Sequence, residues 1–270
     1  MFTWSRLFVM LYACLLCVQL PAQTLPSPSS PVQPAAPKSA ADQLVDHLVR
    51  NYAALYATLP SITAHEKVET HATRGILWQN STGEGTMRVL RTASGDDLKE
   101  THEMTVVNGK PVAPGDQKGP SQPTDAFIGV QGMFFSHTGR PCYSFTLAPQ
   151  PNKDGLSELH IALSPEYASL PRCMSGLKDL TGIVRVDPAT HQVTHLERTI
   201  PNQVAPLTFF ASTDYAPARI GDKTFWLPAV SVSSVVINKV KVHTIIHYSD
   251  YHLYTSTSTI LPVTPEQVLP

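Results

Sequence analysis

The chain of 270 residues carries 20 basic and 21 acidic side chains, and 42% of its residues are hydrophobic. This length and hydrophobic content are enough for a sizeable core in one large or two small domains. The net charge of −1, without any run of five like charges, gives no electrostatic footprint for nucleic acid or for an anionic membrane surface. We therefore predict that nucleic acid is not a partner.

The first 22 residues have the pattern of a secretory signal peptide. Arg6 supplies a positive charge, an apolar run follows over residues 7–20, and Ala22 marks the predicted cleavage position. The apolar run is shorter than the roughly 20 residues of a spanning helix, so we expect no membrane span in the mature chain. The sequence before Cys14 leaves lipidation of this cysteine open. A periplasmic or secreted location follows from this pattern.

Removal of the signal peptide leaves two cysteines, Cys142 and Cys173. In an exported protein an isolated pair of cysteines typically forms a disulfide, which we predict here. Neither cysteine has a Cys or His neighbour at the two- to four-residue spacing of a zinc site, so this pair is not predicted to bind metal.

The composition changes twice along the mature chain. Residues 23–40 are rich in Pro, Ser and Ala, which favours an extended linker without a core. Residues 41–262 are predicted to form a single β-rich domain, and residues 263–270 a C-terminal tail.

An amphipathic helix is predicted over residues 42–59, before the helix-ending Pro60. Its apolar side chains recur at spacings of three and four residues, at Leu44, Leu48, Tyr52, Leu55 and Leu59. A helix of this length spans about 27 Å at 1.5 Å per residue. It is therefore long enough to lie across a sheet of several strands.

Strands are predicted over residues 61–73, 85–92 and 97–107, separated by turn residues at Ser81-Thr82-Gly83 and Ser94-Gly95-Asp96. Residues 109–124 contain four prolines and three glycines, and we expect a mobile loop there. Residues 125–137 fit a short helix and a buried strand equally well.

A hairpin is predicted over residues 181–201, with Asp187 and Pro188 starting its turn. If Asp187 faces Gln192, His195 shares a face with the valines of the hairpin, at Val184, Val186 and Val193. Further strands are predicted over residues 142–147, 156–163, 207–215, 225–227, 229–237 and 240–251, and a run ending at residue 260 adds an edge strand. The fold class is mainly β (α+β), with a curved antiparallel sheet or half-barrel wrapped on the N-terminal helix.

Local motifs for catalysis or metal binding are not found in the sequence. His243 and His247 lie about 13 Å apart on an extended strand, too far for two ligands of one zinc ion. The sequence His65-Glu66 starts a helical zinc-protease motif, but Glu69 replaces the second histidine. Serine-nucleophile, dinucleotide and phosphate-loop motifs do not occur either. We predict no catalytic residue, no metal and no cofactor, and a site assembled from distant strands stays open.

Several segments, taken together, resemble a group of uncharacterised exported proteins common in acidobacteria. They are Leu59-Pro60-Ser61, Val107-Asn108-Gly109-Lys110-Pro111, Cys142-Tyr143-Ser144-Phe145, the stretch 182–188 and Leu196-Glu197-Arg198. The Asp-Pro hairpin is also similar to parts of lipoprotein-carrier-like half-barrels, the outer-membrane lipoprotein-sorting class. That resemblance implies an open sheet wrapped around helices, with room for acyl chains on its concave side.

The sequence therefore predicts an exported, non-enzymatic envelope protein with a concave sheet that binds an apolar, lipid-like ligand or an envelope component. The alternative is a structural or protein-interaction module of the cell envelope without a small-molecule ligand. The signal peptide, the helix stripe and the alternating strands are the observations behind both hypotheses.

Overall fold

The computed structural model describes residues 37–92, 94–95, 97–113, 129–167, 173, 179–200, 207–237 and 239–255. The predicted signal peptide, most of the predicted linker and the C-terminal tail lie outside these residues. So do most of the predicted mobile loop and the run that ends at residue 260. All elements below belong to one compact unit, Lys38–Pro270.

Two helices and eleven strands make up the described part of the chain. The helices are α1 (Ala40–Thr58) and α2 (Gly129–Phe135), with a 3-10 turn at Arg140–Cys142 after the second. The strands are β1 (Ile62–Arg74), β2 (Leu77–Arg91), β3 (Leu98–Val107), β4 (Lys110–Pro111), β5 (Tyr143–Leu147), β6 (Ser157–Leu163), β7 (Thr181–Val186), β8 (Val193–Ile200), β9 (Leu207–Ile220), β10 (Lys223–Ile237) and β11 (Val240–Leu253).

All strands join one antiparallel sheet in the order β4-β3-β2-β1-β11-β10-β9-β8-β7-β6-β5. The pairing of β1 with β11 connects the first strand of the domain to the last. Within the described residues the sheet is open, with β4 and β5 at its two edges. The predicted mainly β class, with an open antiparallel sheet and one long N-terminal helix, is confirmed.

Helix α1 forms because its ends are capped and one of its faces is apolar. The Ser39 hydroxyl accepts a hydrogen bond from the Asp42 N–H, which satisfies an otherwise free donor of the first turn. At the other end, the Arg91 guanidinium at the end of β2 donates to the carbonyl oxygens of Tyr56 and Leu59. A cation at a helix C-terminus also opposes the helix dipole. Arg91 thus fixes the end of the helix on the sheet.

Two clusters of buried residues lie on the face of the sheet that packs against the helices, here called the inner face. The first joins α1 and α2 to β5–β8, and Leu48, Phe134 and Leu196 are among its fully buried members. The second lies over β1, β2, β10 and β11 and includes Leu59 and Ile246. Helix α1 bridges the clusters, since Leu48 belongs to the first and Leu55 packs against the second.

Two predictions of strand boundaries were wrong or incomplete. Ser81-Thr82-Gly83 lies inside β2 and is not a turn, because β1 pairs with β2 without interruption and the chain reverses at Gly75, whose φ is +59°. The strands predicted over residues 225–227 and 229–237 are one strand, β10, interrupted by a register shift between Pro228 and Val230. Proline lacks an N–H for the ladder, which favours such an irregularity.

The face prediction for the Asp187 hairpin was also wrong. Asp187 does face Gln192, since its N–H donates to the Gln192 carbonyl over 3.0 Å. A register shift between Arg185 and Val186 then pairs His195 with Arg185, on the face opposite the buried Val184. One extra residue in a strand reverses the face of every side chain beyond it.

The disulfide between Cys142 and Cys173 is present, with 5.2 Å between the Cα atoms. The ambiguous segment 125–137 contains helix α2, and its Phe134 and Phe135 are buried. No helix of the described ranges is both long enough and apolar enough to cross a membrane.

Candidate functional site

A narrow pocket of about 20 Å³ lies between α2 and the inner face of strands β8–β11. Its walls combine apolar side chains with hydroxyl groups and a single guanidinium. Val130 comes from α2, and the strands contribute Arg198, Phe209, Ala211, Thr213, Ser231, Ser233, Thr244 and Ile246 among others.

Arg198 is the charged group of this pocket. Its guanidinium carbon lies 5.0 Å from the centre of the Phe209 ring, and Nη1 lies 3.7 Å from the Met133 sulfur. The Nε atom is shielded from solvent and has no hydrogen-bond partner. Burial lowers the pKa of Arg198, while Tyr143 and Tyr215 act in the opposite direction.

Among the described residues, no Asp or Glu forms an ion pair with Arg198. A shielded cation without a counter-charge is costly, so such groups are usually paired. Aromatic and thioether neighbours compensate this cost only partly. An anion in contact with Arg198 would supply the missing counter-charge.

Hydroxyl pairs cross the inner face beside the pocket. Thr213 and Ser231 are 3.1 Å apart across β9 and β10, and Thr70 and Thr244 are 3.1 Å apart across β1 and β11. All four side chains are buried, and each hydroxyl has a hydrogen-bond partner within its pair. These hydroxyls make the floor of the pocket polar without adding charge.

A second set of polar side chains lies on the inner face of β1 and β3. His102 lies between two carboxylates, with 2.7 Å from Nδ1 to Glu66 Oε2 and 2.9 Å from Nε2 to Glu100 Oε1. The Glu66 side chain is fully buried, and those of Glu100 and His102 are 3% and 9% exposed. We call these three residues the Glu-His-Glu cluster.

The protonation of His102 follows from these neighbours. Burial disfavours the charged imidazolium, but the hydrogen bonds to Glu100 and Glu66 outweigh it and raise the pKa to about 9. At neutral pH both ring nitrogens therefore carry a proton and donate to the carboxylates. This arrangement leaves no imidazole nitrogen available as a general base or metal ligand.

The Glu-His-Glu cluster and Arg198 lie at opposite ends of one polar band on the inner face. Glu66 pairs in register with Tyr248 of β11, and Ser231 and Thr213 continue the band over β10 and β9 towards Arg198 of β8. The band thus has carboxylates at one end and a guanidinium at the other.

The residues singled out in the sequence are not brought together by this site. The disulfide lies beside α2 and β5, and His243 contacts Ser234 at 2.8 Å on the other face of the sheet. His191 is part of the β7–β8 turn, where its ring stacks on His47 at 4.3 Å. Within the described ranges, no group of three or more His, Cys, Asp or Glu residues is placed to bind a metal ion.

Sequence reasoning missed Glu66, Glu100, His102 and Arg198. A signal was nevertheless present: Glu66 alternates with the buried Ala64 and Val68, and Arg198 lies two residues after the buried Leu196. Charged residues in register with a buried row are candidates for a functional site.

Comparison with known proteins gives similarity to solved structures only. No family model and no curated protein matches the chain. A LolA superfamily protein from Nitrosomonas europaea is 10% identical, with a TM-score of 0.36 over 79% of this chain and 94% of that one. A DUF1329 family protein from Desulfovibrio piger is 11% identical, with a TM-score of 0.41 over 82% and 96% of the two chains.

A protein domain from Vibrio parahaemolyticus, described as outer membrane lipoprotein-sorting, is 10% identical, with a TM-score of 0.38 over 78% of this chain and 93% of that one.

Proposed function

We propose that this protein is an exported, non-enzymatic binding protein of the periplasm or the extracellular space. Its ligand is an apolar molecule with an anionic group, which contacts Arg198 at the narrow pocket between α2 and strands β8–β11. The observation that carries the proposal is Arg198, a half-buried guanidinium with a shielded and unpartnered Nε, which lines an apolar pocket without a carboxylate partner in the described part of the chain.

The anionic group is inferred from the electrostatics of Arg198. A carboxylate or phosphate at the pocket wall would accept hydrogen bonds from the guanidinium, including its unpartnered Nε. In a poorly hydrated pocket such a charge-assisted bond contributes more than it would at the surface. Fatty acids and phospholipids offer this chemistry equally well.

The apolar part of the ligand is inferred from the remaining walls. Val130, Phe209, Ala211 and Ile246 present hydrocarbon surface around the guanidinium. Contact with an acyl chain would remove this surface from water, at about 25 cal/mol per Å² of buried apolar area. The Thr213, Ser231 and Thr244 hydroxyls already have protein partners, so they do not require a polar ligand.

The non-enzymatic character is supported by the state of the reactive groups. Both nitrogens of His102 are engaged by carboxylates, and Cys142 and Cys173 share a disulfide instead of presenting a thiolate. Export is supported by the N-terminal sequence pattern and by the disulfide, which persists in oxidising compartments.

Competition between a fatty acid and the matching fatty alcohol tests the proposal. Displacement of a fluorescent fatty acid should favour the acid over the alcohol by about tenfold or more, since a hydrogen bond to a charged group contributes about 1.5–3 kcal/mol. The Arg198→Gln variant should bind both compounds equally and weakly. Arg219→Gln, which changes an exposed arginine on β9, should behave as the wild type.

Absence of acyl-chain binding at high micromolar concentration would contradict the proposal. An empty protein that co-purifies with another chain would instead support a structural or protein-interaction module of the cell envelope.

A further inference from the structure

The turn between β1 and β2 exposes three consecutive large apolar side chains. Ile76 is 96% exposed, Leu77 69% and Trp78 74%. Soluble proteins rarely present such a contiguous group to water, and where they do it commonly marks an interaction site. We call Ile76, Leu77 and Trp78 the apolar tip.

The position of the apolar tip is fixed by the sheet. Gly75 makes the turn with a φ of +59°, and Arg74 pairs with Leu77 directly below it. The 13-residue β1 pairs with β2 on one side and with β11 on the other. The tip is therefore the end of a well-paired ladder, and its side chains project beyond the hydrophobic clusters.

Three cations surround the apolar tip. Thr73 pairs with both Trp78 and Lys241, so these three residues form one rung on one face of the sheet. Two strand spacings separate Trp78 from Lys241, about 10 Å between their Cα atoms. Arg74 and Lys239, the latter in the β10–β11 turn, are exposed next to this rung.

Acidic side chains of the same strands lie farther away. Glu69 precedes Arg74 by about 16 Å along β1 at 3.3 Å per residue, and it is already paired with Lys67 at 3.2 Å. Glu84 lies about 20 Å beyond Trp78 on β2. Among the described residues, this end of the two hairpins thus combines apolar side chains with positive charge only.

We propose that the apolar tip, together with Arg74, Lys239 and Lys241, docks on the surface of an anionic phospholipid membrane. Tryptophan is well suited to the membrane–water interface, where its ring contacts lipid and its N–H stays hydrated. Leu77 and Ile76 would enter the acyl boundary, and the three cations would contact lipid phosphates. This patch is not apparent from the net charge or from any run of like charges in the sequence, because its cations come from two hairpins far apart in the chain.

Docking in this way goes beyond ligand binding and does not depend on it. The geometry nevertheless relates the two, because β11 runs from Thr244 at the pocket to Val240 and Lys239 at the membrane-facing end. A membrane at the apolar tip would lie at the end of the strands that line the pocket.

Flotation with lipid vesicles tests the proposal on the protein purified from the envelope fraction of expressing cells. Wild-type protein should bind vesicles containing phosphatidylglycerol more tightly than phosphatidylcholine vesicles, and salt should weaken the binding. The triple variant Ile76→Ser, Leu77→Ser, Trp78→Ser should lose about tenfold or more, because three apolar side chains leave the interface. Lys239→Glu with Lys241→Glu should cause a similar loss.

The matched control reverses the charge of two exposed lysines at the opposite end of the sheet, by Lys153→Glu with Lys223→Glu. This variant should bind vesicles as the wild type does. All variants keep the same N-terminus, so its contribution cancels in the comparison. Brominated lipid should quench tryptophan fluorescence in the wild type, and Trp78→Phe should remove that quenching.

Equal vesicle binding by the wild type, the triple variant and the charge variant would overturn the proposal. Quenching that is as strong in Trp78→Phe as in the wild type would also overturn it. If the variants instead convert a dimer into a monomer in lipid-free solution, the tip binds a second copy of the chain and the membrane proposal is wrong. Loss of vesicle binding with unchanged fatty-acid binding would separate this site from the pocket.

Discussion

His102 of β3 reaches Glu66 of β1 across the intervening strand β2, with 2.7 Å between Nδ1 and Oε2. The contact is possible because Gly85 of β2, which pairs with Glu66, has no side chain at the crossing. A residue with a side chain there would occupy the inner face between the two groups. The Glu-His-Glu cluster thus depends on a glycine that belongs to neither partner strand.

The first prediction concerns the pH dependence of stability. The folded pKa of His102 is raised to about 9, above the unfolded value of about 6.5. Its contribution is therefore complete below pH 6.5 and is lost as the pH rises through 9, and it amounts to about 3 kcal/mol. Urea denaturation from pH 6 to pH 10 should show this decline. His102→Gln should flatten the curve in that window, and an unchanged slope would contradict the assignment.

The second prediction concerns Gly85. A Cβ at this position would lie 2.3 Å from the Glu103 carbonyl oxygen and 2.9 Å from the Met104 Cα, both backbone atoms of β3. Gly85→Ala should therefore push β3 away from β2 and destabilise the protein by about 2–3 kcal/mol. The variant should also lose the His102-dependent pH effect. Equal stability of Gly85→Ala and the wild type would contradict this prediction.

The third prediction concerns Arg91, which holds the end of α1. Arg91→Met keeps the length of the side chain but removes its hydrogen bonds to the carbonyl oxygens of Leu59 and Tyr56. We expect a loss of about 2 kcal/mol in the free energy of unfolding, because hydrogen bonds from charged donors contribute most. Arg219→Met is the exposed control, and a loss of equal size in both variants would disprove the role of Arg91.

The fourth prediction concerns the disulfide, which joins residues 31 positions apart. In the chain-entropy model a loop of this length is stabilised by about 3–4 kcal/mol. Cys142→Ser should lower the free energy of unfolding by that amount under oxidising conditions. With a reductant present, the wild type and the variant should unfold at nearly the same denaturant concentration. A difference that persists after reduction would assign the effect to packing instead.

Regular patterns in the sequence were enough to predict the helix and the antiparallel sheet. Spacings of three and four residues and Pro60 predicted α1, and Leu48 and Leu59 of the predicted stripe are buried. Alternation along β11 predicted a half-buried strand, and Ile246 and Tyr248 are buried as expected. These predictions succeed because local periodicity determines which side of an element faces the core.

The candidate site could not be predicted from the same patterns, because it depends on strand register. Alternation along β1 places Glu66 on the inner face of the sheet. Only the pairing of β1, β2 and β3 shows that His102 lies close to Glu66, on the other side of Gly85. The shift between Arg185 and Val186, which reverses the face of His195, depends on tertiary pairing in the same way. Arg198 likewise becomes a candidate only when Phe209 and Val130 are seen around it.

Native mass spectrometry of the protein purified from its own envelope fraction tests the ligand proposal most directly. The wild type should carry an apolar molecule with a carboxylate or phosphate, which denaturation releases for identification. Arg198→Gln, prepared identically, should be largely free of that molecule, while Arg219→Gln should retain it. An empty wild type, or the same ligand at the same occupancy in Arg198→Gln, would contradict the proposal that Arg198 holds an anionic apolar ligand.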